Sequence, residues 1–185
     1  LVRSSGGIRI FDTRDGAIEW MEDRILETAG WTPREEGPPL ALGEIEVFSE
    51  IDSAAIAELA GAMREISVAA GGRVFSLGDD GDEIFFVRRG RVNALLPLEG
   101  GKRHHLATFC RGDFFGEIAF LDRGRRSADV QAATAADLFV LSRERFDQLI
   151  KKNPALGGRV FEELAFALSK RLRVADTELR ALEER

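Results

Sequence analysis

Apolar residues change their period three times along the chain. At the front, Ile8, Ile10 and Phe11 form a short run, and Ala17, Trp20, Met21, Ile25 and Leu26 then recur at helical spacing. This predicts a strand followed by a helix over 14–29, capped by Asp12 or Thr13 and ended by Gly30. A lone strand and helix cannot bury that face unaided, so it is expected to pack on something else. Residues 31–44, WTPREEGPPLALGE, hold three of the five prolines and read as a linker.

From Phe48 the pattern changes. Residues 51–63 form a helical stretch, with Ser53 as N-cap and Ile56, Leu59, Ala60 and Met63 on its apolar side. Short runs then follow at 65–69, 73–76, 83–87, 91–96, 104–109, 128–132 and 138–141. They are broken by Gly71-Gly72, the 78–81 stretch, Arg89-Gly90, Gly100-Gly101 and Gly112-Asp113. Many short strands with glycine-rich turns predict an antiparallel barrel or sandwich. After Ser142 the helical period returns over 143–152, with Phe146, Leu149 and Ile150 inward, and Asn153-Pro154 punctuates it. A long helix runs from Pro154 to the end, with Phe161, Leu164, Leu168, Leu172, Ala175, Leu179 and Leu182 at steps of three and four. From Leu168 this is a heptad-like seam, which suits either a dimer helix or packing on the barrel. The fold class is mainly β with flanking helices, an α+β arrangement.

Composition narrows the function. With 185 residues, 44% of them hydrophobic, the chain can bury a core. No apolar run is long enough to span a membrane and no signal peptide is visible. The first residue is Leu1 and not Met, which reads as a fragment or a processed product. A net charge of −6 argues against a general nucleic-acid surface. The basic residues Lys151, Lys152, Arg159, Lys170, Arg171 and Arg173 are diluted by Glu162 and Glu163 and read as a solvated face. The single cysteine, Cys110, excludes an internal disulfide and fits a reducing, cytoplasmic compartment. His104 and His105 are adjacent on a strand and so face opposite sides, which argues against a shared metal site and for strand surface. No Ser–His–Asp constellation is present, so the chain reads as a binding module and not an enzyme, with no cofactor.

The chemistry concentrates in 112–130, GDFFGEIAFLDRGRRSADV. A glycine turn leads into a short helical run opened by Gly116 and Glu117, followed by the basic pair Arg125 and Arg126. Free backbone N–H groups of Glu117, Ile118 and Ala119 beside an arginine suit one phosphate. Glu117 is an odd neighbour for phosphate unless it accepts a hydrogen bond from a sugar hydroxyl. A phosphate next to a ribose hydroxyl satisfies both residues. The alternative is a Glu117–Arg126 ion pair closing a surface turn.

The segment FGEIAFLDRGRRSADV resembles the phosphate-binding cassette of cyclic nucleotide-binding domains, and the similarity extends over roughly 47–180. It is carried by the F-G-E-x-A-x-L element followed by R-S-A. The resemblance implies a double-stranded antiparallel β-helix, a jelly-roll β-roll of the catabolite activator type, with a long C-terminal helix. It implies that the backbone of 116–119 (Gly116, Glu117, Ile118, Ala119) and Arg126 bind the cyclic phosphate, and that Glu117 takes the ribose 2′-hydroxyl. Ser127 and Ala128 would line the phosphate and base side, and Val92 and Leu106 would stand near the base. The ligand implied is cAMP, with cGMP the second candidate. Catabolite activator-type regulators also carry a helix-turn-helix after the C-terminal helix; none follows here, so no DNA reading is expected. Arg185 falls near where a base-capping residue is expected, so the lid is expected to be incomplete or supplied from elsewhere.

The front segment, GIRIFDTRDGAIEWMEDRIL, resembles the final strand and helix of a STAS domain of the sulfate permease type. The division expected is then 1–30 as a STAS-like end, 31–44 as linker and 45–185 as the nucleotide domain. Hosts include an anion transporter, to which the chain would be tethered at a membrane, and soluble enzymes with a STAS module. The functional expectation is a sensor relaying nucleotide binding through its C-terminal helix, with a homodimer through that helix as a further expectation. The alternatives are a dimerising adaptor without nucleotide and a truncated activator-type transcription factor.

Overall fold

The computed structural model describes residues 3–5, 8–10, 21, 25 and 37–183. At the front, strands β1 (Arg3–Ser5) and β2 (Ile8–Ile10) pair antiparallel. The helix expected over 14–29 lies outside the described residues except at Met21 and Ile25. Both are exposed there, contrary to the buried face expected of them.

Within the expected linker, Leu40 and Leu42 are buried, so the packed body begins before residue 45. Two 3₁₀ turns, Leu42–Glu44 and Glu46–Phe48, insert Ile45, Val47 and Phe48 into the core. Helix α1 (Ser53–Ala62) follows. Its N-cap is Asp52, one residue before the expected Ser53. The Asp52 carboxylate accepts from the Ala55 N–H at 3.0 Å, satisfying one of the helix's orphan donors.

The β-roll has two four-stranded antiparallel sheets. One runs in the order β3 (Arg64–Val68), β10 (Ala136–Ser142), β5 (Glu83–Arg89), β8 (Phe114–Phe115). The other runs β4 (Arg73–Phe75), β9 (Asp129–Ala132), β6 (Val92–Pro97), β7 (Arg103–Phe109). Seven of these eight strands coincide with the runs read from the sequence. The eighth, β8, is a two-residue strand too short to show a period.

Strand alternation divides the phenylalanines. On β5, Phe85 points between the two sheets, where it joins Val87, Phe115, Val130 and Leu138. Phe86 points the other way, into the layer capped by helices, with Phe48, Phe114, Phe120 and Phe146. Because β5 and β10 are buried on both faces, IFFV and LFVL read as continuous apolar runs and not as alternation.

The helical layer is closed by α3 (Arg143–Lys152) and the long α4 (Pro154–Glu183). Leu156, Val160 and Leu164 of α4 are buried. Beyond Leu168, Leu172 is 63% exposed, and Phe166, outside the seam, is 71% exposed, so neither packs on the roll. No helix among the described residues is long and apolar enough to cross a membrane.

Candidate functional site

The cassette is built on β8, whose Phe114 and Phe115 pair with Phe86 and Phe85 of β5. These two side chains and Phe120 are almost fully buried and anchor the segment to the roll. Gly116 then takes a left-handed conformation, φ 79°, and starts helix α2 (Glu117–Asp122). A side chain there would be strained, and a Cβ would stand 2.9 Å from Arg126 Nη1 and 3.0 Å from the Glu83 carbonyl oxygen.

Helix α2 ends on Arg123, also left-handed at φ 59°, and the Gly124 N–H donates to Asp122. The chain then returns along the 78–82 loop. Arg125 bridges Asp80, the Arg126 N–H donates to the Asp79 carbonyl, and the Gly78 N–H donates to the Arg126 carbonyl. Helix α3 holds the cassette from behind. Arg143 donates to the Phe120 carbonyl at 2.9 Å, while Arg143 and Arg123 both pair with Asp147. The hydrogen bond from Arg143, with the charges of both arginines, holds the Asp147 carboxyl below its ordinary value.

One cavity of about 170 Å³ opens between the cassette and the inner sheet face. Gly116, Glu117, Ile118, Ala119, Arg126, Ser127, Ala128 and Leu106 all line it. Val92 does not. It is fully buried in the inter-sheet core, and Ala94, two residues along the same strand, takes the wall position expected of it. Ile118 and Leu106 are each 49% exposed, whereas Ala119 and Ala128 are buried.

Glu117 and Arg126 line the same cavity but do not pair with one another. Arg126 is 4% exposed. Its Nη1 donates to the Glu83 carbonyl at 2.7 Å and to the Gly116 carbonyl at 3.2 Å, and its Nε has no partner. No carboxylate among the described residues forms an ion pair with it. Burial pulls this guanidinium below its ordinary value, opposed by the more distant charges of Glu83, Asp82 and Asp79.

Glu117 pairs instead with Arg171 of α4, across 3.7 Å. Desolvation raises its carboxyl above the ordinary 4.5, opposed by a hydrogen bond from its own backbone and by Arg171. Arg171 also donates to the Phe114 carbonyl at 2.7 Å and lies over the Phe114 and Phe109 rings. In the sequence Arg171 is one of eight basic residues after Ile150. Only its place on the inward side of α4, seven residues after buried Leu164, sets it apart. Among the described residues, no group of three or more His, Cys, Asp or Glu is placed to hold a metal.

Residues 65–153 match the family model for the cyclic nucleotide-binding domain. The chain is 38% identical over 106 residues to the cyclic AMP receptor protein of Thermus thermophilus, which is 57% of this chain and 47% of that protein. It superimposes on the crystal structure of the catabolite activator protein of the same organism with a TM-score of 0.64 and 31% identity, over 74% of this chain and 62% of that one. A longer alignment, 33% identical over 172 residues, is to Glutaminase 1 of Bradyrhizobium diazoefficiens. It takes in 93% of this chain but spans only 27% of that relative's length.

Proposed function

We propose that the chain is a regulatory module sensing a cyclic nucleotide, cAMP before cGMP, through a cyclic nucleotide-binding domain of the catabolite activator type over 65–153. The observation that carries this reading is Arg126. A guanidinium taken almost wholly out of water, with an unpartnered Nε and no ion-pairing carboxylate, is costly unless an anion completes it. It lines a cavity beside Glu117, which suits a hydroxyl donor.

In this reading the cyclic phosphate meets Arg126 and the backbone of 116–119, and the ribose 2′-hydroxyl donates to Glu117. The base lies toward Ser127, Leu106 and Ile118 at the mouth, where two half-exposed aliphatic side chains gain from being covered. Cyclic AMP is favoured by the likeness to a cyclic AMP receptor protein. The signal passes from Glu117 to Arg171 and so to α4, with α3 as the hinge. The ligand shifts that equilibrium only by its differential affinity for the two positions of the helix.

Calorimetry with cAMP and cGMP on wild type and Arg126→Ala tests the reading. Wild type is expected to bind and Arg126→Ala to lose most of the affinity. Absence of wild-type binding at millimolar nucleotide would sink it in favour of the adaptor alternative. A homodimer through α4 is part of the proposal, supported by exposed Phe166 and Leu172. Light scattering on Leu172→Glu is expected to show a loss of dimer, and a monomeric wild type would remove that part.

For the host, the STAS-like reading of the front segment stands on the sequence alone. Alignment with Glutaminase 1 over 93% of the chain favours an enzyme host over an anion transporter, with this module as its regulatory segment. Glutamine hydrolysis by the full gene product, with and without cAMP, tests this. Activity that ignores the nucleotide would separate the module from the enzyme's control.

A further inference from the structure

The arginine at the centre of the site is held by groups that phosphate chemistry alone does not call for. The Cζ of Arg126 lies 4.2 Å from the centroid of the Phe75 ring and 5.4 Å from that of Phe85. Phe75 ends β4, a three-residue strand at the edge of its sheet, and it lines the same cavity as Arg126. Its ring is fixed in turn by Phe85 and Phe115, at centroid distances of 5.7 and 6.1 Å. A phenyl ring offers a phosphate nothing, because its face is negative; that same face attracts a guanidinium.

The other side of the guanidinium meets backbone. A Cβ on Gly81 would stand 2.8 Å from Arg126 Nε, 2.9 Å from Nη2 and 3.1 Å from Cζ. Gly81 has no left-handed backbone that would demand glycine, so the demand here is for space. With Nη1 tied to two carbonyls, the ring and the bare Cα of Gly81 leave the guanidinium one position.

We infer that Phe75 and Gly81 are positioning residues for the anion-binding arginine: Phe75 holds the guanidinium by its face, and Gly81 leaves the space its Nε–Nη2 edge occupies. This rests on reading the cavity as a cyclic nucleotide site. Neither residue offers the phosphate a side-chain donor. Each acts by fixing where the donors of Arg126 point, and a donor fixed before the ligand arrives does not pay that ordering cost on binding.

The test uses the 185-residue chain and the variants Phe75→Leu, Phe75→Tyr and Gly81→Ala. It combines cAMP calorimetry, thermal melting and the NMR resonance of the Arg126 Nε–H. In wild type that resonance is expected to be displaced by the ring current of Phe75. Phe75→Leu should return it toward the ordinary arginine position and weaken cAMP by about tenfold. Phe75→Tyr keeps the ring face and should retain both properties. Gly81→Ala should move the resonance and weaken binding to a similar extent. A purely packing role for Phe75 lowers the melting temperature without moving the resonance, and that result overturns the inference. So does an affinity loss that tyrosine fails to rescue. If wild type binds no nucleotide, the functional reading fails, and the resonance of the free protein still decides whether Phe75 and Gly81 position Arg126.

Discussion

Arg171 on the long C-terminal helix is paired across 3.7 Å with Glu117, the residue that opens the cassette helix. The same guanidinium donates to the Phe114 carbonyl and covers two phenylalanine rings. One side chain therefore ties the long helix to the carboxylate expected to take a sugar hydroxyl. Arg171→Ala is expected to let the Glu117 carboxyl titrate at still higher pH, because a charge that lowers it is removed. It should also speed amide exchange over 164–180. A Glu117 titration followed by NMR that stays unchanged in the variant would show that the pair has no energetic consequence.

Glu117 itself should trade stability against binding. Its carboxyl is raised by burial above 4.5 in the folded chain, so the folded state holds a proton that the unfolded state has released. That contribution to stability is complete below about 4.5 and is lost as the pH rises through the raised value. Nucleotide affinity should run the opposite way and fall on acidification, since accepting from the ribose hydroxyl needs the carboxylate. Glu117→Gln should raise the melting temperature of the free protein at neutral pH and weaken cAMP binding. A variant that melts lower and binds as wild type would contradict both expectations.

Gly116 is the backbone pivot of the site. At φ 79° an alanine is strained, and its Cβ would press on Arg126 Nη1 and the Glu83 carbonyl. Gly116→Ala should cost about 1–3 kcal/mol in urea unfolding and weaken nucleotide binding by displacing Arg126. Unchanged unfolding and affinity would show that the turn relaxes freely.

The first helix of the nucleotide domain offers a control far from the cavity. Asp52→Ala removes the cap to the Ala55 N–H and should destabilise by about 1 kcal/mol. Ser53→Ala should be close to neutral, and neither should change nucleotide affinity. Thermal melts that reverse this order would return the cap to Ser53.

Cap placement illustrates why some details were not legible in the sequence. Asp52 and Ser53 are both good caps, and only the chain's entry angle decides between them. The same holds at the cavity wall. Val92 and Ala94 share a face of β6, and both are buried between the sheets, but the cavity begins only at Ala94. β8 was invisible because two residues carry no period, although its pairing with β5 places the whole cassette.

By itself the sequence determined the order of elements, seven of the eight strands of the roll, the helix boundaries around Asn153-Pro154, and the cassette with Glu117 and Arg126. These follow from periods, turn residues and a local motif, all of which act over short stretches of chain. The tertiary structure alone decided the partners of those two charges. Glu117 and Arg126 do not pair with each other, because Arg126 is turned onto the Phe75 ring and two carbonyls while Arg171 arrives from a helix 54 residues further on. Contacts between residues so far apart depend on how the sheets and the long helix pack, and no local pattern encodes that.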